Sequence, residues 1–161
     1  ANVFGPGDDF DLEESHVIPS LMRRMHEAKL SGAAQVEIWG SGNPRRDFIY
    51  SQDLADASIS LMIDYEDGEP INVGVGLDLS IRELALRIQD VVGYAGELKF
   101  NTSRPDGIPA KLLDSSRLAA RGWQPTISLS KALEATYHWY TTAGPGMETL
   151  PGPVTAQSNI N

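Results

Sequence analysis

The stretch WGSGNPRRDFIY, residues 39–50, places two adjacent arginines behind a turn rich in glycine and proline. Side chains alternate along a strand, so Arg45 and Arg46 should point to opposite sides, one inward and one to solvent. A guanidinium is planar and permanently charged, and it can bind a phosphate through two parallel N–H donors. Trp39 offers a flat face for a base or sugar. The stretch predicts an anion pocket; the alternative is a surface arginine pair with Trp39 in the core.

Two further segments carry groups that suit the same pocket. Arg23 and Arg24 form a second pair in a predicted helix, where a solvated helix face is the alternative. In the segment RPDG, residues 104–107, Asp106 can accept hydrogen bonds from hydroxyls, although Pro-Asp-Gly is also a common turn sequence. We predict that these segments converge with residues 39–50 on one nucleotide diphosphate.

His16 is the candidate for proton transfer. It follows the acidic segment DLEES and precedes an apolar helix, and a neutral imidazole near pH 7 suits acid–base work. The alternative is a structural histidine at a helix start. His26 and His138 lie within predicted helices and are interpreted as packing or surface residues. The histidine spacing predicts no metal site.

Composition narrows the classes of partner. The chain has 161 residues and a formal net charge of -9, which argues against a general nucleic-acid or membrane surface, because such surfaces need clustered Lys and Arg. It has no cysteine, which excludes disulfides and thiolate metal sites and fits a reducing compartment. We therefore expect a cytoplasmic protein with no nucleic-acid or membrane partner.

The motifs of a self-contained dinucleotide enzyme are missing from the sequence. GVGLDL has Leu79 in the place of the third glycine of a GxGxxG loop, and no GxxxxGK[ST] occurs. No Tyr is followed four residues later by Lys. The opening, ANVFGPGDDF, reads as the tail of a strand, so we expect a fragment; a processed mature terminus is the alternative.

Five helices are indicated by apolar spacing and caps. The first covers residues 16–31, with Ser15 as its N-cap and Gly32 at its end. Ser80 and Glu83 form a capping box for a third helix with an apolar stripe. A brief helix begins at Asp114 or Ser115 and ends at Gly122, and a last helix runs from Ser128 or Ser130 to about Tyr140. The second helix begins at residues 51–53, with a face of Leu54, Ala57, Ser58 and Leu61.

Strands are predicted between these helices. They are the end of ANVF, then QVEIWG, RDFIY, PINVGVG and GELKF. Alternating strands and helices favour an α/β fold with mostly parallel pairing. Residues 143–161 have Glu148 as their only charge and no periodicity, which predicts a disordered tail.

Four blocks of sequence carry a family resemblance. They are NVFGPGDDFDLEESHVIPSLMRRMHEAK, VEIWGSGNPRRDFIYSQDLADA, INVGVGLDLSIRELA and RPDGIPAKLLDSSRLAARGWQPTISLSKALEATYHWY. Over residues 1–142 the chain resembles the C-terminal half of the GDP-L-fucose synthase family, extended short-chain dehydrogenase/reductases of the NAD-dependent epimerase/dehydratase type. The resemblance implies two parts, edge strands of a Rossmann sheet (NVFG, INVGVG) and a small α/β substrate-binding domain.

The resemblance also implies an activity. Family members convert GDP-4-dehydro-6-deoxy-D-mannose to GDP-L-fucose by epimerisation at C3 and C5 and reduction of the C4 ketone by NADPH. His16 matches the family's acid–base histidine, whose partner cysteine, like the catalytic Ser, Tyr and Lys, lies upstream of this chain. The resemblance implies a homodimer for the full-length enzyme, and it implies that this chain alone is inactive.

Eight site residues carry over by matching position. Asn2, Val3 and His16 match contacts to NADP(H). The GDP-sugar contacts are Arg24, Trp39, Arg46, Asp106 and Lys111. Two positions depart from the family pattern, since Phe4 replaces a usual tyrosine and Ala110 replaces a usual basic residue. Two other functions stay open, a related nucleotide-sugar epimerase or dehydratase and a non-catalytic sugar-nucleotide binding module.

Overall fold

The computed structural model describes residues 1–146. In chain order its elements are β1 (Asn2–Phe4), α1 (Val17–Ser31), β2 (Gln35–Trp39), β3 (Arg45–Tyr50), α2 (Ser51–Asp64), β4 (Asp78–Ser80), α3 (Ile81–Val92), β5 (Glu97–Asn101), β6 (Ala110–Lys111), α4 (Ser116–Ala120) and α5 (Leu129–Thr142).

The strands form two small sheets. One has the order β1-β3-β4 with β6 also beside β3, and the other pairs β2 with β5. The β1–β3, β2–β5 and β3–β6 pairs are parallel, and β3–β4 is antiparallel. The predicted α/β class with mostly parallel pairing is confirmed. The first half of β3 has strands on both edges, because Arg46 pairs with Leu79 of β4 and with Lys111 of β6.

The core lies between α1, α3 and α5 and the strands beneath them. The predicted stripe on α3 is confirmed, with fully buried Leu84, Ala85, Ile88 and Val92. Each buried Leu or Ile stabilises the fold by about 1.5–3 kcal/mol. The predicted capping box also forms, since the Ser80 hydroxyl accepts from Glu83 N–H while the Glu83 carboxylate accepts from Ser80 N–H. These two bonds fix the point at which α3 begins.

The start of α1 differs from the prediction. Its N-cap is His16, which makes no side-chain capping bond, and the Ser15 hydroxyl donates instead to the Asp11 carbonyl. Local bonds compete with capping here, because the Asp11 carboxylate accepts from the backbone of the following residues. The helix ends as predicted at Gly32, whose φ of 66° is left-handed.

The predicted strand PINVGVG is wrong, because residues 70–77 form no strand. Val75 N–H donates to the buried Asp47 carboxylate at 3.2 Å, and the Asn72 amide donates to the Asp114 carbonyl. Gly76 has a φ of 75°, which no regular strand contains. The Val75 N–H is thus satisfied by a side chain instead of a neighbouring strand, and the Asn72 side chain links the loop to the segment before α4.

The predicted apolar face of α2 is only partly correct. Asp53 and Ala57 are its buried residues, whereas Ser58 is exposed. Apolar side chains also face solvent on this helix: Ile59, Met62 and Ile63. The Asp53 carboxylate accepts from the backbone N–H and hydroxyl of Thr126, both at 3.0 Å. The buried face of α2 is therefore shifted from the predicted one toward Asp53, whose carboxylate binds the loop before α5.

The chain beyond α5 is described as far as Gly146. Ala143 and Gly144 donate from their backbone N–H groups to the Trp139 carbonyl. The rest of the predicted tail, residues 147–161, lies outside the described residues. Within residues 1–146 no helix has the length and apolar character required to cross a membrane.

Candidate functional site

One cavity of about 310 Å³ gathers six of the eight predicted site residues. It lies where β1, the start of α1, the end of β2 and the start of β3 meet, and its apolar walls include Ile18, Phe48 and Ile81. The predicted residues that line it are Asn2, Val3, His16, Trp39, Arg46 and Asp106. The roles assigned to these residues stay predictions, but their proximity is a property of the fold.

The turn after β2 is held by Asp106. Its Oδ1 accepts from Ser41 N–H at 2.6 Å and its Oδ2 accepts from the Ser41 hydroxyl at 2.7 Å. These bonds hold the pKa of Asp106 below its ordinary value. Gly40 has a φ of 84°, and a Cβ there would lie 2.4 Å from Asp106 Oδ1, so the turn needs glycine. Asp106 therefore fixes the segment between Trp39 and Arg46.

Arg45 and Arg46 diverge as strand alternation predicts. Arg45 Nε forms an ion pair with Asp78 Oδ1 at 2.9 Å, and its Nη1 lies 3.4 Å from Glu83 Oε2. Arg45 therefore links β3 to both β4 and the first turn of α3. Arg46 is half-buried and lines the cavity. Its Nη1 donates to the carbonyls of Arg45 and Ile108, both at 2.8 Å. These two bonds orient the guanidinium.

The pair on α1 divides in the same way. Arg23 Nε bonds to Glu27 at 2.7 Å and its Nη1 donates to the Phe10 carbonyl. Arg24 Nη2 donates to the Leu12 carbonyl at 3.0 Å, and its Cζ lies 5.2 Å from the centroid of the Trp39 ring. Arg24 does not line the 310 Å³ cavity; it lines a neighbouring cavity of about 250 Å³ that shares Trp39.

Lys111 also lies outside the 310 Å³ cavity, in the two-residue strand β6. It is exposed and stands opposite Arg46 in the β3–β6 register, while Ala110 stands opposite Arg45. This short strand was not predicted, because two residues have no periodicity to detect. It adds one positive charge beside Arg46.

His16 is exposed at the cavity, and its backbone carbonyl accepts a hydrogen bond from Ser20 N–H at 3.0 Å. Asp8 is close enough to interact with it electrically. Burial raises the pKa of the Asp8 carboxyl, and the charge of His16 is one of the opposing influences. An imidazole at an open cavity with a carboxyl nearby can take up or release a proton there.

Asp47 connects the cavity residue Asn2 to the loop 70–77. Asn2 lines the cavity and donates from its amide to the Asp47 carbonyl at 3.0 Å. Asp47 is fully buried, and burial raises its pKa while bonds from the backbone of Val75 and Gly76 oppose the rise. The loop 70–77 and β1 are therefore tied to the same residue, which directly follows Arg46.

Arg104 was not among the predicted site residues, although RPDG was singled out. Its Cζ lies 4.7 Å from the centroid of the Trp39 ring. Its position just before the Pro-Asp-Gly turn was the available signal. No local pattern in the sequence pairs Arg104 with Trp39, because the two residues lie far apart in the chain. Among residues 1–146 no cluster of three His, Cys, Asp or Glu side chains is placed to bind a metal ion.

Comparison with known proteins finds one matching family model and several named relatives. Residues 1–74 match the NAD dependent epimerase/dehydratase family. The chain is 50% identical over 139 residues to GDP-L-fucose synthase 1 of Arabidopsis thaliana, covering 86% of this chain and 43% of that protein. It is 48% identical over 148 residues to GDP-L-fucose synthase of Escherichia coli, covering 86% and 46%. The chain thus spans less than half the length of these relatives.

A solved structure extends the likeness to the fold. A GDP-L-fucose synthetase from Naegleria fowleri bound to NADP superposes with a TM-score of 0.83 at 32% identity, covering 92% of this chain and 46% of that one. The fold is therefore that of a Rossmann-like nucleotide-sugar epimerase/reductase, as the resemblance implied.

Proposed function

We propose that this chain provides the GDP-sugar site of an enzyme that acts as the GDP-L-fucose synthases do. The proposal is supported by the match of residues 1–74 to the NAD dependent epimerase/dehydratase family and by the 50% identity to the Arabidopsis GDP-L-fucose synthase. The reaction is conversion of GDP-4-dehydro-6-deoxy-D-mannose to GDP-L-fucose. Residues 1–142 form the C-terminal part of the enzyme, which is a homodimer when complete.

One observation carries the proposal. His16 and Arg46 line the same cavity of about 310 Å³, although they lie on different elements, the start of α1 and β3. A guanidinium, which suits anion binding, and an imidazole, which suits proton transfer, therefore share one space. A cavity of this size holds a sugar and part of its diphosphate, which is what the proposed substrate requires.

The residues divide the chemistry between binding and proton transfer. The C4 ketone acidifies the C–H bonds at C3 and C5, so removal of either proton leaves an enolate. His16 returns a proton from its imidazolium to carbon on the opposite face, and a second acid–base group comes from outside this chain. Arg46 holds the diphosphate through its remaining N–H donors, and Asp106 accepts from sugar hydroxyls with its free lone pairs.

The described residues fit one end of NADP(H). Val3 is 38% exposed beside the cavity, and β1 has β3 as its sole strand neighbour within the described part of the chain. Asn2, Val3 and His16 would contact the nicotinamide end there. No glycine-rich turn for a pyrophosphate occurs in residues 1–146, so the rest of the cofactor needs residues outside them. The chemistry supplied by the cofactor is hydride donation to the C4 ketone.

The test uses a fusion that restores the missing length. Residues 1–161 would follow the nucleotide-binding part of the Arabidopsis relative, and solvent deuterium incorporation at sugar C3 and C5 would be measured by NMR. We expect His16→Gln to lower incorporation about 100-fold or more, the usual contribution of a positioned acid–base group. His138→Gln, which removes an exposed imidazole from α5, should change nothing.

Two outcomes would contradict the proposal. Undiminished exchange in His16→Gln would leave His16 as a residue of the helix start. A fusion that binds the GDP-sugar but neither exchanges deuterium nor oxidises NADPH would favour the non-catalytic binding module.

A further inference from the structure

Asp8 is held in place by the turn that follows β1. Its backbone N–H donates to the Gly5 carbonyl at 3.2 Å, and Gly7 between them has a φ of 84°. A proline followed by a glycine of positive φ is typical of a type II turn, in which the fourth residue closes the hydrogen bond. Pro6 and Gly7 are the central residues here, so the sequence GPGD fixes Asp8 between β1 and α1.

The Asp8 carboxylate has one oxygen in use and one without a partner. Its Oδ1 accepts from the Asp9 N–H at 2.9 Å. The backbone of Gly5 also favours the ionised form, but no group within residues 1–146 reaches the buried Oδ2 with hydrogen-bond geometry. Burial raises the pKa of this carboxyl, because an ionised oxygen without a donor is poorly solvated. Most buried polar atoms in folded proteins are paired, so this oxygen points to a role other than stability.

His16 has the complementary property. It is the N-cap residue of α1 but makes no side-chain capping bond, and within the described residues neither of its ring nitrogens has a hydrogen-bond partner. The residue is exposed at the cavity of about 310 Å³. The charge of His16 opposes the rise in the pKa of Asp8, so the imidazolium and the carboxylate stabilise each other. A carboxylate oxygen without a donor thus lies near an imidazole without an acceptor.

Other charges around His16 are either bound or exposed. Arg46 and Asp106 line the same cavity and carry opposite signs. The Asp106 carboxylate is bound to Ser41, and Arg46 Nη1 donates to two backbone carbonyls. The segment between β1 and α1 also has four exposed acids, which are Asp9, Asp11, Glu13 and Glu14. Asp8 differs from them because its free oxygen is buried, where solvent and salt screen a charge least.

We propose that Asp8 is a positioning residue for His16, and that its carboxylate keeps the imidazole in the protonated form that donates to the sugar. This rests on the proposed function. The imidazolium releases its proton to carbon and becomes neutral, while Asp8 stays ionised throughout. Epimerisation at C3 and C5 uses the acid twice, so His16 takes up a proton from solvent between the two steps. A nearby carboxylate favours that uptake because it stabilises the cationic form.

The first test is an NMR titration of the histidine rings in the 161-residue chain, with the His16 signal assigned by its loss in His16→Gln. Asp8→Asn removes the charge and keeps an Oδ1 acceptor for the Asp9 N–H. We expect the midpoint of the His16 titration to move down by about 0.5–1 pH unit, the effect of losing one nearby opposite charge. An unchanged midpoint would overturn the proposal and leave the proposed function intact.

Asp9→Asn is the matched control. It removes the same charge from the neighbouring residue, whose carboxylate is exposed and accepts from the Asp11 N–H. Because solvent screens an exposed charge, the His16 midpoint should move by less than about 0.2 pH unit. Equal shifts in the two variants would assign the effect to the overall charge of the segment and would overturn the specific role of Asp8.

The second test measures the pH profile of deuterium incorporation in the fusion that restores the missing length. In Asp8→Asn the alkaline limb should move to lower pH by the same amount. On that limb kcat should fall about three- to tenfold, because the protonated fraction of His16 falls, while KM for the GDP-sugar stays within about twofold of wild type.

A profile that is lowered at every pH without moving would show a role in folding alone and would contradict the proposal. If the wild-type fusion exchanges no deuterium, the proposed function fails and the catalytic role of Asp8 fails with it. The NMR midpoints, which need no activity, still decide whether Asp8 and His16 are coupled.

Discussion

Each arginine pair is divided between two environments. Arg23 and Arg45 are bound to carboxylates, whereas Arg24 lies at the Trp39 ring and Arg46 lines the cavity. Consecutive side chains diverge on a helix and alternate on a strand, so only one member of each pair can face a given site. The other member of each pair links neighbouring segments: Arg45 binds Asp78 of β4, and Arg23 donates to the Phe10 carbonyl before α1.

Asp106 allows a residue-level prediction that separates two roles. If it holds the turn through Ser41, both Asp106→Ala and Ser41→Ala should weaken GDP binding, by about tenfold and threefold respectively, because the second change removes one of two bonds. If Asp106 contacts sugar hydroxyls alone, Ser41→Ala should leave the affinity for the GDP-sugar unchanged. Titration of GDP and of the GDP-sugar with both variants distinguishes the roles.

At the scale of elements, the loop 70–77 is organised by one buried side chain. Asp47 of β3 binds its backbone, and Ser115 at the start of α4 approaches the same point. Asn2 of β1 donates to the Asp47 carbonyl. Three elements thus meet at the residue that follows Arg46, so disturbance of the loop should reach the cavity.

Gly74→Ala tests this junction. A Cβ there would lie 2.5 Å from Asp47 Oδ2 and 3.0 Å from Ser115 Oγ, so these groups must shift. We expect the free energy of unfolding to fall by about 1–3 kcal/mol, as overpacking typically costs, measured by urea titration. Gly68→Ala is the control, because its Cβ would meet no atom within 4 Å. Equal stability of the two variants would show that the junction is plastic.

At the scale of the whole molecule, α1 and α5 are joined by an aromatic cluster. Buried His26 of α1 bonds through Nδ1 to Tyr137 Oη at 2.9 Å and packs edge-on against Tyr140. Phe10 stacks on Tyr140 with centroids 4.4 Å apart. Burial, followed by the charge of Lys29, lowers the pKa of His26. The packing of these helices therefore favours a neutral imidazole.

This gives stability a defined dependence on pH. The folded-state pKa of His26 lies below the unfolded value of about 6.5, so the unfolded state binds more protons as the pH falls. The contribution of the neutral imidazole is present above about pH 6.5 and is lost as the pH falls through the folded-state pKa.

The measurement is the difference in free energy of unfolding between wild type and His26→Gln from pH 7.5 to 5. We expect this difference to shrink toward low pH, by at most about 1.4 kcal/mol per pH unit. His138→Gln controls for loss of an exposed imidazole. A difference that stays constant or grows toward low pH would contradict the assignment to His26.

Local features of the fold were predictable from the sequence. The stripe and capping box of α3, the glycine end of α1 and the strands β2, β3 and β5 follow from periodicity and caps, which act within a few residues. The divergence of Arg45 and Arg46 likewise follows from strand geometry.

Tertiary structure decided the features that depend on distant partners. The loop 70–77 is no strand because Asp47 supplies acceptors for its backbone, and β6 exists because β3 offers an edge to it. Arg104 meets Trp39 only through the folding of β5 against β2. Such contacts form between residues far apart in sequence, and no local pattern encodes which distant group will supply a hydrogen bond or an aromatic face.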